Sequence, residues 1–526
     1  MKNNKKQIVV FGFFVLFLIA VNFKIQAQTA LATVPENKTT VTATPEEIAK
    51  LRSAVEANPN DLAAHEAYIK ATGFNKRDVV DDPELVKQYE NWMKKFPTSA
   101  AVPYSLGHAY ASKESPKAKP YLLKAVEIDP KFDKAYFDLW IDGERWGDFS
   151  VSRDYLLKAK EASPSNADYA FYYASGFSNT DLEKYTKLSL KVAADFPKTE
   201  RGAQALYWLA NRSDDSKEKI IYYEQQRKDF PVDKFSWTSS GMSEYFNLLL
   251  TTEPKKALEL AQSIVELKGR DVKSWETNVN NAKMVIDAQT LLSAGKASEA
   301  VAVLDKLVIP RYSSSKEDIL YLKAKALDAA GNTAKAYENL LLSFAKDPTV
   351  KMNEVLNSYG KKLGKNTKKV DEEVWYIRDT ASKKAPDFKL QRYLTEGFSS
   401  LSDFRGKVVM ITYWFPGCGP CRGEFPHFED VVKKFKGKDL VYLGINVSPE
   451  QDEYVVPFMK SSGYSFTPLK DNDGWEKGPL NNRNAAPVNF LIDQNGQIIY
   501  SNFRTNEHNE DDLEFMINSI LKRKEI

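Results

Sequence analysis

The 526-residue sequence predicts a multidomain fold, in which an all-α solenoid of helical repeats precedes an α/β domain with a central mixed sheet flanked by helices. Two observations carry this prediction. Prolines recur at a nearly constant interval in the first half of the chain, most of them after a segment with the periodicity of an amphipathic helix. The only two cysteines, Cys418 and Cys421, follow the apolar run 408–415, which indicates a strand that leads into a helix.

The amino terminus predicts export. A basic start is followed by fourteen apolar residues from Ile8 to Val21. A membrane-spanning helix needs about 20 such residues, whereas a secretory signal needs fewer. We therefore predict a signal peptide over residues 1–27, cleaved near Ala27, with an uncleaved membrane anchor as the alternative. Residues 28–45, rich in Thr, Ala and Val, are expected to form a flexible tether.

Proline spacing predicts helical repeats over residues 46–365. Successive intervals are 38, 33, 34, 33 and 34 residues for Pro59, Pro97, Pro130, Pro164, Pro197 and Pro231. This period matches the tetratricopeptide repeat, a pair of antiparallel helices in about 34 residues. We expect about seven to nine such pairs, enough to stack into a curved solenoid. Beyond residue 353 the charge rises and the periodicity weakens, so residues 366–384 are expected to form a linker.

The dense tyrosine and phenylalanine of the repeats, as in residues 169–173, has two interpretations. Such rings fill the gaps between stacked helices, or they line a concave groove that binds an extended peptide. The formal net charge of +3, from 74 basic and 71 acidic residues, gives no reason to expect a nucleic-acid partner.

The cysteine pair indicates redox chemistry. A structural zinc site needs four ligands, and the sequence has no second cysteine pair and only His427 among its histidines nearby. A structural disulfide across two residues would constrain little unfolded chain. We predict a reversible Cys418–Cys421 disulfide, with no metal and no cofactor. At a helix start the first thiol should be exposed, with a pKa below about 8.5, so Cys418 is the predicted nucleophile and Cys421 resolves the mixed disulfide.

Four ordered segments resemble a known family. Ala385–Phe388, Leu401–Val409, Cys421–Pro426 and Ala485–Gly496 are similar to the thioredoxin fold, and within it to the TlpA/ResA-like thiol-disulfide oxidoreductases of the periplasm. The resemblance covers residues 385–526. It implies an electron supply from a membrane-bound reductase.

The resemblance also implies roles for three residues. A cis Ala486–Pro487 bond would let the backbone of Ala486 pair with an extended substrate beside the dithiol. Glu424 would tune thiol protonation and shuttle a proton. The alternative for Glu424 is a solvated first-turn glutamate that complements the helix dipole.

The sequence departs from the family at several positions. Thr412 stands where thioredoxin has a buried aspartate, and threonine cannot act as a base. Gly417 stands where many members have tryptophan, so we expect a more open surface beside the nucleophile. Trp414 is a second candidate for the substrate groove, although its place in the apolar run favours the strand core. Phe415 stands where a peroxiredoxin-type peroxidase would need threonine, which disfavours that chemistry.

Two functions remain open at the level of sequence. The first is an exported, periplasmic thiol-disulfide oxidoreductase that reduces or exchanges protein disulfides, with the helical repeats docking a partner or substrate. The second is a repeat scaffold, in which the redox domain is a switch or a passenger.

Overall fold

The computed structural model describes residues 43–75, 81–269, 271–311, 313–471, 480 and 485–523. The predicted signal peptide over 1–27 lies outside these residues, as does nearly all of the predicted tether over 28–45. Within the described ranges, no helix is both long enough and apolar enough to cross a membrane.

The amino-terminal part consists of nineteen helices over the described residues, and each packs against its neighbours in the chain. In chain order they are α1 Pro45–Ala57, α2 Leu62–Thr72, α3 Pro83–Lys95, α4 Ala101–Ser112, α5 Ala118–Ile128, α6 Asp133–Trp146, α7 Phe149–Ala162, α8 Ala167–Ser175, α9 Leu182–Asp195, α10 Glu200–Arg212, α11 Ser216–Asp229, α12 Ser236–Thr252, α13 Pro254–Glu266, α14 Val272–Ser293, α15 Ala297–Leu304, α16 Lys316–Ala329, α17 Thr333–Lys346, α18 Val350–Lys362 and α19 Thr367–Ala381. The predicted all-α region is confirmed, and its helices fit tetratricopeptide-like repeats.

The recurring prolines mark the ends of alternate helices. Each of the six lies two residues beyond the last residue of an odd-numbered helix, from α1 to α11. Proline removes a backbone donor and restricts the residue before it, so it favours the end of a helix. Side-chain caps begin three of the six helices that follow: for example, Asp61 accepts from the backbone N–H of Ala63 at 2.9 Å, and Asn166 accepts from that of Asp168 at 2.9 Å.

The predicted linker over 366–384 is wrong, because most of it is helix α19. Asn366 caps this helix, and its Val370 and Val374 are buried against α17 and α18. Arg378 is also buried and donates to the backbone oxygens of Phe344 and Ala345. The lysines and acidic residues of α19 occupy its exposed side, and their density hid an apolar stripe with helical spacing.

The carboxy-terminal part is a mixed sheet with helices, as predicted, and the sheet has eight strands over the described residues. Its elements are β1 Lys383–Lys384, β2 Lys389–Arg392, β3 Phe398–Ser400, β4 Val408–Trp414, α20 Gly419–Lys433, β5 Leu440–Asn446, α21 Asp452–Ser462, β6 Thr467–Lys470, β7 Val488–Ile492, β8 Gln497–Ser501 and α22 Glu510–Leu521. The strand order is β1, β8, β7, β4, β5, β6, β2, β3. Strands β4, β5 and β6 are parallel, and the other pairs are antiparallel.

Strand β4 lies at the centre of this sheet and is buried on both faces. Val408, Met410 and Trp414 belong to one core cluster with helices α20, α21 and α22, whereas Val409 and Ile411 belong to a second cluster on the opposite face. Side chains alternate between the faces of a strand, and burial on both faces explains the continuous apolar run in the sequence. The end of β4 therefore places the following turn and α20 at the edge of a rigid core.

Candidate active site

The two cysteines occupy the start of α20. Cys418 is the N-cap residue, and its Sγ accepts the backbone N–H of Cys421 at 3.2 Å. The two residues form a disulfide, with their Cα atoms 5.3 Å apart. A sulfur at the N-cap faces the positive end of the helix dipole, which favours the thiolate once the bond is reduced. The geometry therefore supplies one sulfur that is prepared to ionise and a second within bonding reach.

The expectation that Cys418 is exposed is wrong for the disulfide form. Cys418 is 2% exposed and Cys421 is 0% exposed. Both belong to the core cluster of the sheet, and Phe415 and Ala486 pack against that cluster. The turn bends the first sulfur inward, toward Cys421, while Gly419 presents its backbone to solvent. Attack on the disulfide therefore requires that an incoming group reach a covered sulfur.

Glu424 is buried, at 3% exposed, and is not a solvated first-turn residue. It lies three residues after Cys421, so the two side chains share a face of α20. Its carboxylate accepts from Arg504 Nε at 2.7 Å, the backbone N–H of Thr505 at 3.0 Å and Asn489 Nδ2 at 3.1 Å. Burial raises the pKa of Glu424, and Arg504 with the hydrogen bonds opposes this rise in part.

Thr412 lies on the same sheet face as this carboxylate. It is opposite Asn489 in the antiparallel pairing of β4 with β7. Its Oγ1 is buried and has no hydrogen-bond partner among the described residues. A threonine cannot take up a proton, whereas the Glu424 carboxyl can, and Glu424 is linked to this strand position through Asn489.

The Ala486–Pro487 peptide bond is cis, as the resemblance implied. Pro487 is buried, and Ala486 is partly buried against the core cluster that contains both cysteines. These two residues directly precede β7, which pairs with β4. The predicted substrate-pairing position and the dithiol thus contact the same cluster.

Two other predictions for the substrate groove need correction. Trp414 is 0% exposed and packs against Phe425, Phe458 and Phe466, so it belongs to the core. Gly417 does not open the surface beside the nucleophile. Its N–H donates to Gln451 Oε1 at 2.6 Å, and a Cβ at this position would lie 2.9 Å from the Gln451 side chain. The small residue is needed because the buried Gln451 fills that space.

Sequence reasoning missed the contribution of the repeats to this site. Gln451 Nε2 donates to Glu114, in the turn between α4 and α5. Arg422, directly after Cys421, lies 3.6 Å from Glu144 of α6 through Nη2 and Oε2. The position of Arg422 beside a cysteine was the only hint in the sequence, because these partners are hundreds of residues apart.

A buried polar pair fixes the same contact between the two parts of the chain. Tyr454 of α21 donates its hydroxyl to Asp142 Oδ1 of α6 at 2.8 Å, and Trp146 Nε1 donates to Asp142 Oδ2 at 2.8 Å. Burial raises the pKa of Asp142, and Tyr454 with Arg145 opposes this rise. The rings of Trp146 and Tyr454 also meet edge to face. The repeats therefore pack firmly on the helix that follows Gln451.

The fold and the dithiol define a class, the thioredoxin-fold domains whose Cys-x-x-Cys pair begins the helix after a central strand. The profile of the AhpC/TSA family matches residues 381–501. The thiol-disulfide oxidoreductase ResA of Bacillus subtilis (strain 168) is 34% identical over 121 residues, which are 22% of this chain and 63% of ResA. The chain thus spans less than two thirds of that relative.

A second relative is covered more fully. The thioredoxin-like protein YneN of Bacillus subtilis (strain 168) is 30% identical over 134 residues, which are 24% of this chain and 77% of YneN. Through its carboxy-terminal domain, the chain belongs to the thioredoxin-like family of ResA and YneN. A solved structure, a thiol:disulfide interchange protein of the thioredoxin family from Chlorobium tepidum TLS, is 21% identical, covers 27% of this chain and 97% of its own, and has a TM-score of 0.23.

Proposed function

We propose that this protein is an exported thiol-disulfide oxidoreductase that reduces or exchanges protein disulfides. The observation that carries the proposal is the disulfide at the start of α20, with Cys418 Sγ at the N-cap and Cys421 within the first turn. The relatives ResA and YneN support it through the carboxy-terminal domain alone. Export rests on the apolar amino-terminal segment of the sequence.

The reaction uses two exchange steps. In the reduced protein, the Cys418 thiolate attacks one sulfur of a substrate disulfide, which breaks that bond and releases the other sulfur as a thiolate. Cys421 then attacks Cys418 Sγ of the mixed disulfide and releases the second substrate sulfur. Two electrons pass to the substrate, which takes up two protons as it becomes a dithiol, and the Cys418–Cys421 disulfide remains.

The surrounding residues support this reaction. The buried Glu424, whose pKa is raised, is suited to take up the proton of Cys421 and release it during exchange. The backbone at Ala486 and Pro487 is proposed to pair with an extended substrate segment. The proposed redox domain spans residues 385–526, and a membrane-bound reductase of dithiol type is proposed to regenerate its reduced form.

The repeats over residues 46–365 are proposed to dock the partner or substrate. A cavity of about 210 Å³ between α8, α10 and α12 supports this role. Phe171, Trp208 and Trp237 line it together with Arg201 and Arg212. Aromatic and guanidinium groups of this kind bind polypeptide segments well, because they combine apolar area with hydrogen-bond donors.

A second function is favoured by one observation, the burial of both sulfurs. A repeat scaffold with a redox domain as its switch or passenger would have no need of an accessible nucleophile. With the redox domain as a passenger, partner capture should not depend on the oxidation state of the cysteines.

One experiment separates the two functions. In a Cys421→Ala variant the mixed disulfide cannot be resolved, so protein substrates should accumulate on Cys418 and be released by dithiothreitol. A Cys418→Ala variant with Cys421 intact is the matched control, and it should trap nothing. If neither variant forms a mixed disulfide with any protein under reducing and then oxidising conditions, the enzyme proposal is wrong and the scaffold is favoured.

A further inference from the structure

The side chain of Arg422 folds back over the turn that carries the dithiol. Its Nη1 donates to the backbone oxygen of Pro416 at 3.2 Å, two residues before Cys418. Its Nη2 lies 3.6 Å from Glu144 Oε2, and the two side chains are 20% and 22% exposed. A cation of the active-site helix is therefore shared between the cysteine turn and a carboxylate that the repeats supply.

Other charged groups of the repeats lie close to the cysteine turn. Arg145 lies 3.3 Å from Glu114, which in turn contacts Gln451, the acceptor of the Gly417 N–H. Burial lowers the pKa of the Arg422 guanidinium, and the phenol of Tyr464, within the redox domain, opposes this fall. Since Glu114 and Arg145 pair with each other, Glu144 is the carboxylate that faces Arg422 directly.

We propose that Glu144 is a positioning residue of the dithiol, which holds the Arg422 guanidinium and so limits how far that cation stabilises the Cys418 thiolate. The inference rests on the proposed reversible chemistry of the cysteine pair. A nearby cation favours a thiolate, and a partly buried charge is screened little by salt. Stabilisation of the thiolate stabilises the reduced protein and makes the couple more oxidising. A carboxylate on the same cation keeps the couple more reducing.

The test is the reduction potential of the full chain, measured by equilibration with reduced and oxidised dithiothreitol. Glu144→Gln keeps the shape of the side chain and removes its charge. We expect an equilibrium constant about tenfold more oxidising, which corresponds to about 30 mV for this two-electron couple. The alkylation of reduced Cys418 by iodoacetamide should reach half its maximum rate at a lower pH. Arg422→Gln should move both quantities in the opposite direction.

Two controls show whether the shift is specific to Glu144 and passes through Arg422. Glu127→Gln removes an exposed carboxylate of α5, which is paired with Lys124 on the repeat surface, and should change neither quantity. In the Arg422→Gln background, Glu144→Gln should cause no further shift, because its effect passes through the guanidinium. A wild-type potential in Glu144→Gln, or an undiminished shift in the double variant, would overturn the inference.

The measured reduction potential is independent of the proposed reductase activity, because the equilibration with dithiothreitol uses no protein substrate. Failure of the wild-type protein to reduce insulin, with the Glu144→Gln shift present, would end the proposed reductase and support this inference. Reduction of insulin with no shift in Glu144→Gln would end this inference alone.

Discussion

Replacement of Tyr454 by phenylalanine tests the contact between the repeats and the redox domain. The Tyr454 hydroxyl donates to Asp142 Oδ1 at 2.8 Å, and Asp142 is 1% exposed. A hydrogen bond to a charged group contributes about 1.5–3 kcal/mol, so we expect the Tyr454→Phe variant to lose about 2 kcal/mol. The ring itself stays, with its edge-to-face contact to Trp146 at 5.0 Å between centroids, so the packing contribution should change little.

The assay is urea denaturation of the full chain at pH 7, followed by tryptophan fluorescence. Tyr376→Phe is the matched control, because Tyr376 is 75% exposed and its hydroxyl is free to bond to solvent. Surface substitutions of this kind change the free energy of unfolding by about 0.5 kcal/mol or less. If the two variants have the same midpoint, the buried hydrogen bond does not join the two parts of the chain as argued.

The loss in Tyr454→Phe should also depend on pH. Burial raises the pKa of Asp142 above its unfolded value, so the stability linked to this group is fully present at low pH and falls as pH rises through the folded pKa. The Tyr454 hydroxyl opposes that fall by donating to the ionised carboxylate. The variant should therefore differ most from wild type above the folded pKa of Asp142, and the difference should shrink to about 1 kcal/mol, the value of a neutral hydrogen bond, once the acid is protonated. A difference that grows on acidification would contradict this reasoning.

Three further predictions concern strand β4, helix α20 and the turns at Gly147 and Gly331. Thr412→Val replaces a buried hydroxyl, without a hydrogen-bond partner in the described part of the chain, by a methyl group and should raise the free energy of unfolding by about 1 kcal/mol; a lower urea midpoint would contradict this. Glu424→Gln should slow insulin reduction by about a hundredfold and remove an ionisation above the usual glutamate range from the pH profile, and an unchanged profile would exclude the proton role. Gly147→Ala should lower the melting temperature more than Gly331→Ala: both glycines have positive φ, which costs about 1–2 kcal/mol for alanine, but only at Gly147 would the Cβ meet a backbone oxygen, that of Phe458 at 2.8 Å. Equal effects would show that the contact at Gly147 can relax.

The repeat region was predictable because its signals are local. Proline ends a helix through its own backbone, and the helix pair repeats the same event at a fixed interval. The prediction failed at α19, where charged residues at 368, 369, 371, 372 and 373 surround Val370 and Val374. The mean hydropathy of this segment is strongly polar. A stripe of apolar residues one turn apart is nevertheless enough to bury one side of a helix against its neighbours.

The cysteine pair and the buried strand before it were also predictable, since their spacing and order belong to one continuous segment. The surroundings of the dithiol were not. The exposure of Cys418 depends on which side chains close over the turn, and the need for glycine at 417 arises from Gln451, which is 34 residues away. The partners Glu114 and Glu144 lie about three hundred residues from the turn. No local pattern in one sequence identifies contacts between residues so far apart.

The core of the redox domain shows why a division at residue 385 is incomplete. Phe149, at the start of α7, and Trp375 of α19 both pack against the cluster that contains Cys418 and Cys421. Residues 383–384 add an edge strand by pairing with β8. Removal of the repeats would uncover apolar area on this core and leave Tyr454 without its carboxylate partner. Independent domains joined by a flexible linker share few such contacts. The repeats are therefore part of the structural support of the dithiol, and a change in their packing is expected to reach the cysteines.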